Sequence, residues 1–580
     1  MPLNRDSGKT IPGRIEVRLS GDRPKLPIIP EGALSPPPSI FNDVIGPVMR
    51  GPSSSHCAAA VRIGKLARDL MGGIVEKALV EFHPTGSLAT THETQGSDMG
   101  LFGGLLGWDA DHERLVESTA AIREAGINVE IRISDFPAAH PNTYRISLSG
   151  GGNTHRLTAL STGGGTIRVT EVDGIDLSLS GDSGEVLLFL AGEGGGESGV
   201  HGLADQLEEE LECDEVSVHL RSGPAGTEST DQNRGSSTTP SSIVRIRVRD
   251  LPSLEKVQEV TGGYPVSEIR FLSPVLPVRS PKNLRVPFLT AGEMLAYKGE
   301  RDTELWRLAV EYESARGGIS GDEVLSTMRG ILEVMECSVA TGREGTEYAD
   351  RILPPQTSTF EDRLAEGSLL DMGILNRVIL YVSAIMETKS SMGVVVAAPT
   401  AGSCGALPAC VLGAGNSLGS STEEMTRALM VAGIIGVFIA ARSTFAAELC
   451  GCQAECGAGS GMAAAALVAL AGGSTGQALA AASMAIQNTL GMICDPVANR
   501  VEVPCLGRNV LAASNALASA NLALAGFDEV IPLDEVIAAA DEVGRSLPHE
   551  LRCTALGGLS VTETSKGIEE RLREGPTPPK

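Results

Sequence analysis

The sequence predicts a multidomain fold: an α+β N-terminal domain, a ferredoxin-like βαββαβ middle domain and an all-α C-terminal domain. Three observations lead to this prediction. A chain of 580 residues is longer than a single hydrophobic core usually supports. Short segments of alternating apolar and polar residues dominate the first half, which is typical of strands. Long Ala- and Gly-rich apolar segments dominate the second half, which is typical of buried helices.

The first domain follows a segment whose composition predicts disorder. Residues 1–38 are rich in Pro, Ser and Gly, so they can bury little apolar surface. They also lack the apolar stretch of a signal peptide, and we therefore expect a cytoplasmic protein. In residues 39–182, Gly-rich turns separate "NVEIRIS", "YRISLSG" and "TIRVTEV", and a helix is expected from near Ala58. These features predict the α+β domain.

The middle domain, residues 183–280, contains six segments in the order strand, helix, strand, strand, helix, strand. They read "EVLLFLAG", "HGLADQLEEELE", "CDEVSVHL", "SIVRIRVR", "SLEKVQEVTG" and "VSEIRFLS". This order is that of a ferredoxin-like sandwich. A polar insertion between the second and third strands is expected to be a loop. A Pro-rich linker near residues 274–287 separates this domain from the next.

Residues 288–572 are expected to be helical and buried among themselves. Two amphipathic segments with acidic starts come first, and apolar Ala- and Gly-rich helices follow. The longest apolar run, residues 428–441, has 14 residues, whereas a bilayer span needs about 20. We therefore expect a buried helix and no membrane contact. The net charge of −25 argues against a nucleic-acid partner.

Cysteines and histidines lie in opposite halves of the chain. Eight of the eleven cysteines lie from Cys404 onward, and eight of the nine histidines precede residue 220. Thiolates without imidazole suit a sulfur-only site for zinc, copper(I) or an iron–sulfur cluster. Cys452, Cys494 and Cys505 are separated by 42 and 11 residues, which favours a cluster over a zinc knuckle. Buried inert thiols are the alternative.

Within "CGCQAEC", Cys452 and Cys456 are four residues apart and would share one face of a helix. Cys450 would then point elsewhere. The spacing therefore predicts that two of these three sulfurs are neighbours.

Two polar stretches could bind an anion. Hydroxyls and free amides at a helix start hold carboxylates or phosphates, and "GPSSSH" places His56 beside such a site. The turn "PTAGSCG" offers similar groups. The candidate residues are Ser53, Ser54, Ser55, Thr400, Gly402, Ser403 and Gly405. Taken alone, the first stretch is equally compatible with a Ser helix cap and an exposed histidine, and the second with a Gly-rich turn. "AHPNTYRI" is interpreted as a turn.

Together these motifs resemble the bacterial iron–sulfur-dependent L-serine dehydratases (L-serine ammonia-lyases). The resemblance extends from about residue 41 to 570. It rests on "DVIGPVMRGPSSSH", "GSLATTHETQGSDMGLFGGLLGWD", "HPNT", "APTAGSCGALPA", "GCQAECGAGSGMAAAALV", "CDPVANRVEVPCLGRN" and "LRCTALGGL". The motifs are long and stand in the family's order.

The resemblance implies a 4Fe-4S cluster held by Cys452, Cys494 and Cys505. Cys404, Cys450 and Cys456 would then pack around the site. It also implies a beta-type domain at 39–182, an ACT-like domain at 183–280 and an alpha-type iron–sulfur domain at 288–572. The implied activity converts L-serine to pyruvate and ammonia.

Three features depart from the family's pattern. The Asp-x-Pro-Gly turn of the regulatory domain is replaced by "AGEGGGESG", and the chain ends in "EGPTPPK" instead of a cysteine. Gln95 stands where the family has a histidine, and Lys389 where it often has an asparagine. These changes concern effector binding, the fourth iron and substrate fit.

The expected mechanism joins groups from both halves of the chain. His56 would remove the α-proton of L-serine, while Ser53–Ser55 and the Thr400–Gly405 turn hold its carboxylate. A homodimer is expected. Two alternatives stay open at this point: a related lyase acting on cysteine or threonine, and a non-catalytic amino-acid sensor whose thiols pack or hold structural zinc.

Overall fold

The N-terminal sheet forms from segments in which every second residue is apolar. In a computed structural model, which describes residues 36–190, 197–221, 240–299 and 301–574, Tyr144, Ile146 and Leu148 of one such strand are buried. The strands of this region are β1 (Val48–Met49), β2 (Lys77–Phe82), β3 (Asn128–Ile133), β4 (Thr143–Gly150), β5 (Asn153–Gly163), β6 (Thr166–Val172) and β7 (Ile175–Leu179). The predicted strands β3, β4 and β6 are confirmed.

Six of these strands form one mixed sheet in the order β3-β2-β4-β5-β6-β7. Only β2 and β3 run parallel, and the other neighbours are antiparallel. The predicted disordered N-terminal segment, the "AGEGGGESG" stretch, the polar insertion and the end of the chain lie wholly or largely outside the described residues.

Four helices accompany the sheet: α1 (Ala59–Leu70), α2 (Leu88–Thr91), α3 (Ser97–Leu105) and α4 (Ser118–Glu124). Helices α1 and α3 cross closely because both carry glycine at the contact. A Cβ added to Gly104 would lie 2.1 Å from the Val61 carbonyl oxygen, and one added to Gly64 would lie 2.6 Å from that of Leu101. This close crossing fixes the position of the turn that precedes α1.

The middle region has the predicted order of elements. They are β8 (Gly184–Leu190), α5 (Glu197–Glu210), β9 (Glu215–Leu220), β10 (Ser242–Val248), α6 (Leu254–Thr261) and β11 (Val266–Leu272). The strands form an antiparallel sheet in the order β11-β8-β10-β9. Leu188 and Val244 pack with residues of α5 and α6, whereas Leu187 and Phe189 join the core of the N-terminal sheet.

His155 connects the middle region to the N-terminal sheet through two ion pairs. Its Nδ1 lies 2.8 Å from Asp173 Oδ2, and its Nε2 lies 3.1 Å from Glu268 Oε2 on β11. Burial lowers the pKa of His155, but the hydrogen bonds with both carboxylates outweigh burial and raise the pKa to about 9. The ring is therefore charged at pH 7 and attracts both carboxylates.

The C-terminal region is helical, as predicted. Its helices are α7 (Ala291–Lys298), α8 (Leu305–Gly317), α9 (Gly321–Glu344), α10 (Thr357–Ala365), α11 (Ile374–Ser390), α12 (Ala406–Leu418), α13 (Thr422–Ala440), α14 (Ala447–Cys450), α15 (Cys456–Leu470), α16 (Thr475–Gln487), α17 (Cys505–Leu524), α18 (Leu533–Ser546) and α19 (Glu563–Glu574). A short strand, β12 (Val395–Val396), pairs with β1. The long apolar run lies in α13, which is buried between other helices. Within the described ranges, no helix has both the length and the apolarity to cross a membrane.

The first described residues pack into the helical core. Ile40–Val44 form a π-helical turn against α13. A Cβ on Gly433 would lie 2.6 Å from the Ile40 side chain, and one on Gly436 would lie 2.0 Å from that of Val44. The N-terminal and helical regions therefore share a core, because glycines of α13 admit side chains that precede the sheet.

Glu313 of α8 accepts hydrogen bonds from the residues at the start of this turn. Ser39 Oγ donates to its Oε1 at 2.5 Å, and the Ile40 amide donates to its Oε2 at 2.7 Å. Burial raises the pKa of Glu313 to about 7, although the two hydrogen bonds and Arg316 lower it and Asp43 raises it further. The carboxyl of Glu313 therefore stays largely protonated up to a pH of about 7 in the folded protein.

We predict that Glu313→Gln removes a pH-dependent loss of stability. A folded-state pKa raised from 4.5 to about 7 contributes stability that is complete below pH 4.5 and lost as the pH rises through 7. The loss is about 3 kcal/mol. Glutamine is uncharged at both pH values, and its oxygen can accept from the Ile40 amide as the carboxyl does. Urea unfolding at pH 5 and pH 8 should show the variant gaining relative to the parent at pH 8.

The matched control is Glu311→Gln on the same helix, whose carboxylate is half exposed and pairs with Tyr297 and Arg301. We expect its pH dependence to follow the parent within about 0.5 kcal/mol. Parallel stability curves for Glu313→Gln and the parent would contradict the assignment of this pKa.

Candidate functional site

His56 lies in a π-helical turn, Ser54–Ala58, that leads into α1, and its side chain is fully buried. Its Nε2 lies 2.8 Å from Thr91 Oγ1, and its Nδ1 lies 3.0 Å from Ser53 Oγ. The Thr91 hydroxyl donates its only hydrogen to the Ser87 carbonyl at 2.7 Å. It must therefore accept a hydrogen bond from His56 Nε2. In the neutral ring, Nδ1 then carries the lone pair, which accepts a hydrogen bond from Ser53 Oγ.

Glu448 of α14 faces the same ring nitrogen. Its Oε1 lies 3.6 Å from His56 Nδ1, and its side chain is only 3% exposed. Burial lowers the pKa of His56, and Glu448 opposes this effect because its charge stabilises the imidazolium. The ring is thus neutral at pH 7, and a proton accepted at Nδ1 finds a carboxylate beside it.

The two predicted anion-binding stretches lie against each other. The Ala401 amide donates to Ser54 Oγ at 3.2 Å. The Thr400 and Ser403 hydroxyls lie 3.1 Å apart within a capping box, and Thr400 Oγ1 also donates to Glu455 Oε1 at 2.6 Å. The structure therefore brings the stretches together, but it gives their hydroxyls partners within the protein.

The remaining predicted residues are Ser55, Gly402 and Gly405, and their backbone atoms make the contacts. The Ser55 carbonyl accepts from Ser161 Oγ at 2.7 Å. A Cβ on Gly402 would lie 2.8 Å from Glu455 Oε1, so glycine is what allows that carboxyl to approach. The Gly405 amide points towards α17, where it is bound as described next.

Asn509 of α17 connects the turn to the cysteines. Its Oδ1 accepts from the amides of Gly405 and Ala406, each at 3.1 Å. Its Nδ2 donates to the carbonyls of Gly402 at 2.8 Å and Cys505 at 2.9 Å. One buried carboxamide thus satisfies four backbone groups that belong to two separate elements.

The cysteine-rich segment does not form the single helix implied by the four-residue spacing. Cys450 ends α14, Gly451 has a φ of +68°, and Cys456 begins α15. The expectation of one helix was wrong, because Cys452 lies in a 3-10 turn, Cys452–Ala454, which Glu455 (φ −100°, ψ −77°) separates from α15. The sulfurs of Cys452 and Cys456 are nevertheless neighbours, 3.7 Å apart, and Cys450 points away to Asp541.

Cys494 and Cys505 are buried in the same region as Cys452. The pKa of Cys494 is raised, first by a hydrogen bond with Cys553 and by burial, and then by the charges of Cys553 and Cys452. Burial raises the pKa of Cys505 to about 12, with Cys452 adding to the rise and Lys389 opposing it. The three predicted ligands are therefore close enough to act on one another electrostatically.

Two cations compensate this sulfur-rich region. Lys389 is fully buried and donates to the Val501 carbonyl. Arg508 forms an ion pair with Asp495 at 2.6 Å. A hydrogen bond with Cys456 lowers the pKa of Cys452 to about 7, although burial raises it, and Arg508 lowers it further. The environment thus favours one thiolate despite its burial.

Cys452, Cys494 and Cys505 offer sulfur alone, among apolar residues of the same buried core. Sulfur ligands without nitrogen or oxygen are compatible with an iron–sulfur cluster, copper(I) or zinc. In the part of the chain that the structure describes, no group of three His, Cys, Asp or Glu side chains is arranged to hold a single metal ion.

Several functional candidates were not predicted from sequence. Glu448 precedes the cysteine motif and Glu455 lies within it, and Arg508 and Asn509 follow Cys505. Charged or amide side chains within an Ala/Gly-rich apolar stretch were the available signal, because they are rarely buried without a partner. Thr91 carried no such signal.

Comparisons with known proteins identify relatives of both halves of the chain. The profile described as "Serine dehydratase alpha chain" matches residues 300–560. The chain is 37% identical over 290 residues to the L-serine dehydratase alpha chain of Peptoniphilus asaccharolyticus, covering 49% of this chain and 99% of that one. It is 37% identical over 254 residues to the probable alpha chain of Bacillus subtilis (strain 168), covering 44% and 85%. It is also 43% identical over 150 residues to the probable beta chain of the same organism, covering 26% and 67%.

We predict that Asn509→Ala lowers the free energy of unfolding by about 2–5 kcal/mol, because it leaves buried amides and carbonyls without partners. Thermal or urea unfolding of the purified protein measures this change. The control is Asn416→Ala, which removes one exposed contact with Tyr381. That variant should stay within about 0.5 kcal/mol of the parent. Equal effects of the two variants would show that Asn509 does not hold the turn.

Proposed function

Because the chain belongs to the serine dehydratase alpha-chain family, we propose that it is an L-serine ammonia-lyase that forms pyruvate and ammonia. The similarity to an alpha chain and to a beta chain supports an enzyme that unites both in one polypeptide. The observation that carries the proposal is geometric. A buried imidazole with an unprotonated Nδ1 lies in one turn, and that turn contacts the 400–405 turn beside the buried cysteines.

We propose that Cys452, Cys494 and Cys505 hold a 4Fe-4S cluster. Their burial, sulfur-only chemistry and shared electrostatic environment support this assignment. When bound, such a cluster supplies a Lewis acid that eases departure of the β-hydroxyl, which is otherwise a poor leaving group. The Ala- and Gly-rich helices around these residues keep bulk water away from the site.

We propose His56 Nδ1 as the base that removes the α-proton of L-serine. Thr91 fixes the ring with its lone pair on Nδ1, and Ser53 Oγ restrains its orientation. Glu448 stabilises the imidazolium that results. Loss of the α-proton and the β-hydroxyl leaves an enamine, which tautomerises to an imine and hydrolyses to pyruvate and ammonia.

The sequence predicted that Ser53–Ser55 and Thr400–Gly405 bind the carboxylate of the substrate, and we now propose a different role for them. The hydroxyls of Ser53, Ser54, Thr400 and Ser403 already bond to His56, to the Ala401 amide, to each other or to Glu455. We propose that these residues position the base and hold the two regions together.

We further propose that the middle region is an ACT-like domain. Its βαββαβ order and its sheet order β11-β8-β10-β9 support the assignment. The homodimer and the cytoplasmic location stay predictions.

We predict that serine substitution of Cys452, Cys494 or Cys505 abolishes pyruvate formation and lowers bound iron and sulfide in anaerobic preparations. The parent should carry about four irons and four sulfides per chain. The control is Cys410→Ala, because Cys410 is also buried in the helical region but contacts only the Ala513 carbonyl with its sulfur. It should keep both the cluster and activity. Zinc without sulfide in the parent would favour a sensor over an enzyme.

We predict that His56→Asn lowers kcat/KM for L-serine by about 10²–10⁴-fold, the usual contribution of a general base. Iron and sulfide content should stay unchanged. In the parent, burial lowers the His56 pKa, so kcat/KM should stay flat at neutral pH and fall only below the ordinary histidine range. His201→Ala, an exposed histidine on α5, is the control and should change neither quantity. Near-parental activity of His56→Asn would exclude this base, and parallel assays with L-threonine and L-cysteine separate the related lyases.

A further inference from the structure

An open cleft of about 430 Å³ lies beside His56, between the N-terminal and helical regions. Its lining includes His83, His140, Glu448, His549 and Arg552. Three of these side chains have buried polar atoms without a hydrogen-bond partner: Glu448 Oε2, His140 Nε2 and Arg552 Nε. Because buried polar groups are nearly always paired, three unpaired ones among the residues of one cleft make it a candidate site for a polar ligand.

Glu448 supplies an unpaired acceptor. Its side chain is 3% exposed, and Oε1 lies 3.6 Å from His56 Nδ1. Oε2 has no partner. A carboxylate so deeply buried is costly unless a cation or donor meets it. The empty position at Oε2 therefore suits a positively charged group that enters the cleft.

His140 supplies an unpaired donor. Its Nδ1 accepts from the Asn142 amide at 3.1 Å, so the proton of the neutral ring lies on Nε2. Burial lowers the pKa of His140, with Glu448 opposing, and the neutral form therefore prevails at pH 7. Its Nε2–H is buried and meets no acceptor.

Arg552 supplies a second unpaired donor. Its Nη1 donates to the Leu449 carbonyl at 3.2 Å, which fixes the guanidinium, and its Nε–H is buried without a partner. The backbone of Arg552 forms a bridge with that of Cys494. The backbone of Arg552 is therefore paired with that of Cys494, one of the proposed cluster ligands.

We propose that this cleft binds the zwitterionic main chain of an α-amino acid, with its ammonium on Glu448 Oε2 and its carboxylate on His140 Nε2 and Arg552 Nε. One acceptor and two donors match those two groups in sign. The inference deepens the proposed function and rests on it for the identity of the substrate. Glu448 touches His56 Nδ1 and the cleft at once, so an ammonium bound there brings the adjacent Cα to the base.

The test uses ligands that cannot be dehydrated. L-Alanine keeps the ammonium and carboxylate of serine but lacks the β-hydroxyl, and L-lactate replaces only the ammonium with a hydroxyl. Calorimetric titration of the anaerobic holoenzyme gives both dissociation constants. We expect the parent to prefer alanine. Glu448→Gln should raise the dissociation constant of alanine at least tenfold and that of lactate less than threefold. The preference for alanine should then be lost.

Two further variants separate charge from shape. Glu448→Asp keeps the charge and should retain a preference for alanine. Arg552→Gln should weaken alanine and lactate in parallel, while L-alaninamide, which lacks the carboxylate, should be unaffected. Glu550→Gln, an exposed neighbour of the cleft residues, is the control and should change none of these constants.

The outcomes distinguish this inference from the proposed function. A parent that deaminates serine, together with an unchanged alanine-to-lactate ratio in a folded Glu448→Gln, overturns the cleft assignment alone. A parent that binds alanine in the expected pattern but forms no pyruvate from serine overturns the activity and leaves the cleft assignment standing. Parallel loss of alanine and lactate in Glu448→Gln would also overturn the ammonium role.

Discussion

The site depends on the contact between the turn that carries His56 and the turn at Thr400–Gly405. The proposed base lies in the first half of the chain and the proposed sulfur ligands in the second, so neither half contains the whole of the proposed site. Ser54 Oγ meets the Ala401 amide at this contact, and Asn499 Nδ2 donates to the Thr90 carbonyl at 2.6 Å nearby. Insertion of Ile40–Val44 into the core of α13 adds an apolar link between the same regions. Backbone-directed bonds of this kind fix distance and orientation together, which a catalytic arrangement requires.

Much of the fold could be predicted because its signals are local. Alternation of apolar and polar residues predicts strands such as β4 and β6. The order of strands and helices along the chain predicts the βαββαβ region, because each element is recognised from its own short segment. The separation of Cys452 from α15 could not be predicted, because a four-residue spacing is equally compatible with one helix and with a short 3-10 turn followed by a helix. Cys452, Cys494 and Cys505 were predicted through motif resemblance, whereas Glu448 and Asn509 gain their roles only from contacts with residues distant in sequence. Sequence pattern shows that a buried polar residue needs a partner, but it does not show which one.

The polar groups of the site occur as compensated sets within an apolar interior. His56 has Thr91, Ser53 and Glu448 around it, and Arg508 pairs with Asp495. Such sets are needed because an uncompensated charge at low dielectric would cost more than the local packing contributes. Glu448 Oε2, His140 Nε2 and Arg552 Nε lack such partners. All three residues line the cleft in which we propose that the substrate binds. Incomplete pairing in an otherwise satisfied interior is therefore informative about ligand position.

The departures from the family's pattern follow the same electrostatic logic. Gln95, in place of a histidine, donates to Asn499 Oδ1 at 3.1 Å and contacts the Cys553 sulfur with its amide. A neutral amide at this position cannot place a titrating charge beside Cys553 and its neighbour Cys494. A positive charge near the sulfurs comes from Lys389, which lowers the pKa of Cys404 and of Cys505 against the larger effect of burial. Metal binding requires thiolates, and a buried cation favours that form. Gln95 pairs with Asn499 and Lys389 donates to the Val501 carbonyl, so both polar side chains have partners within the protein.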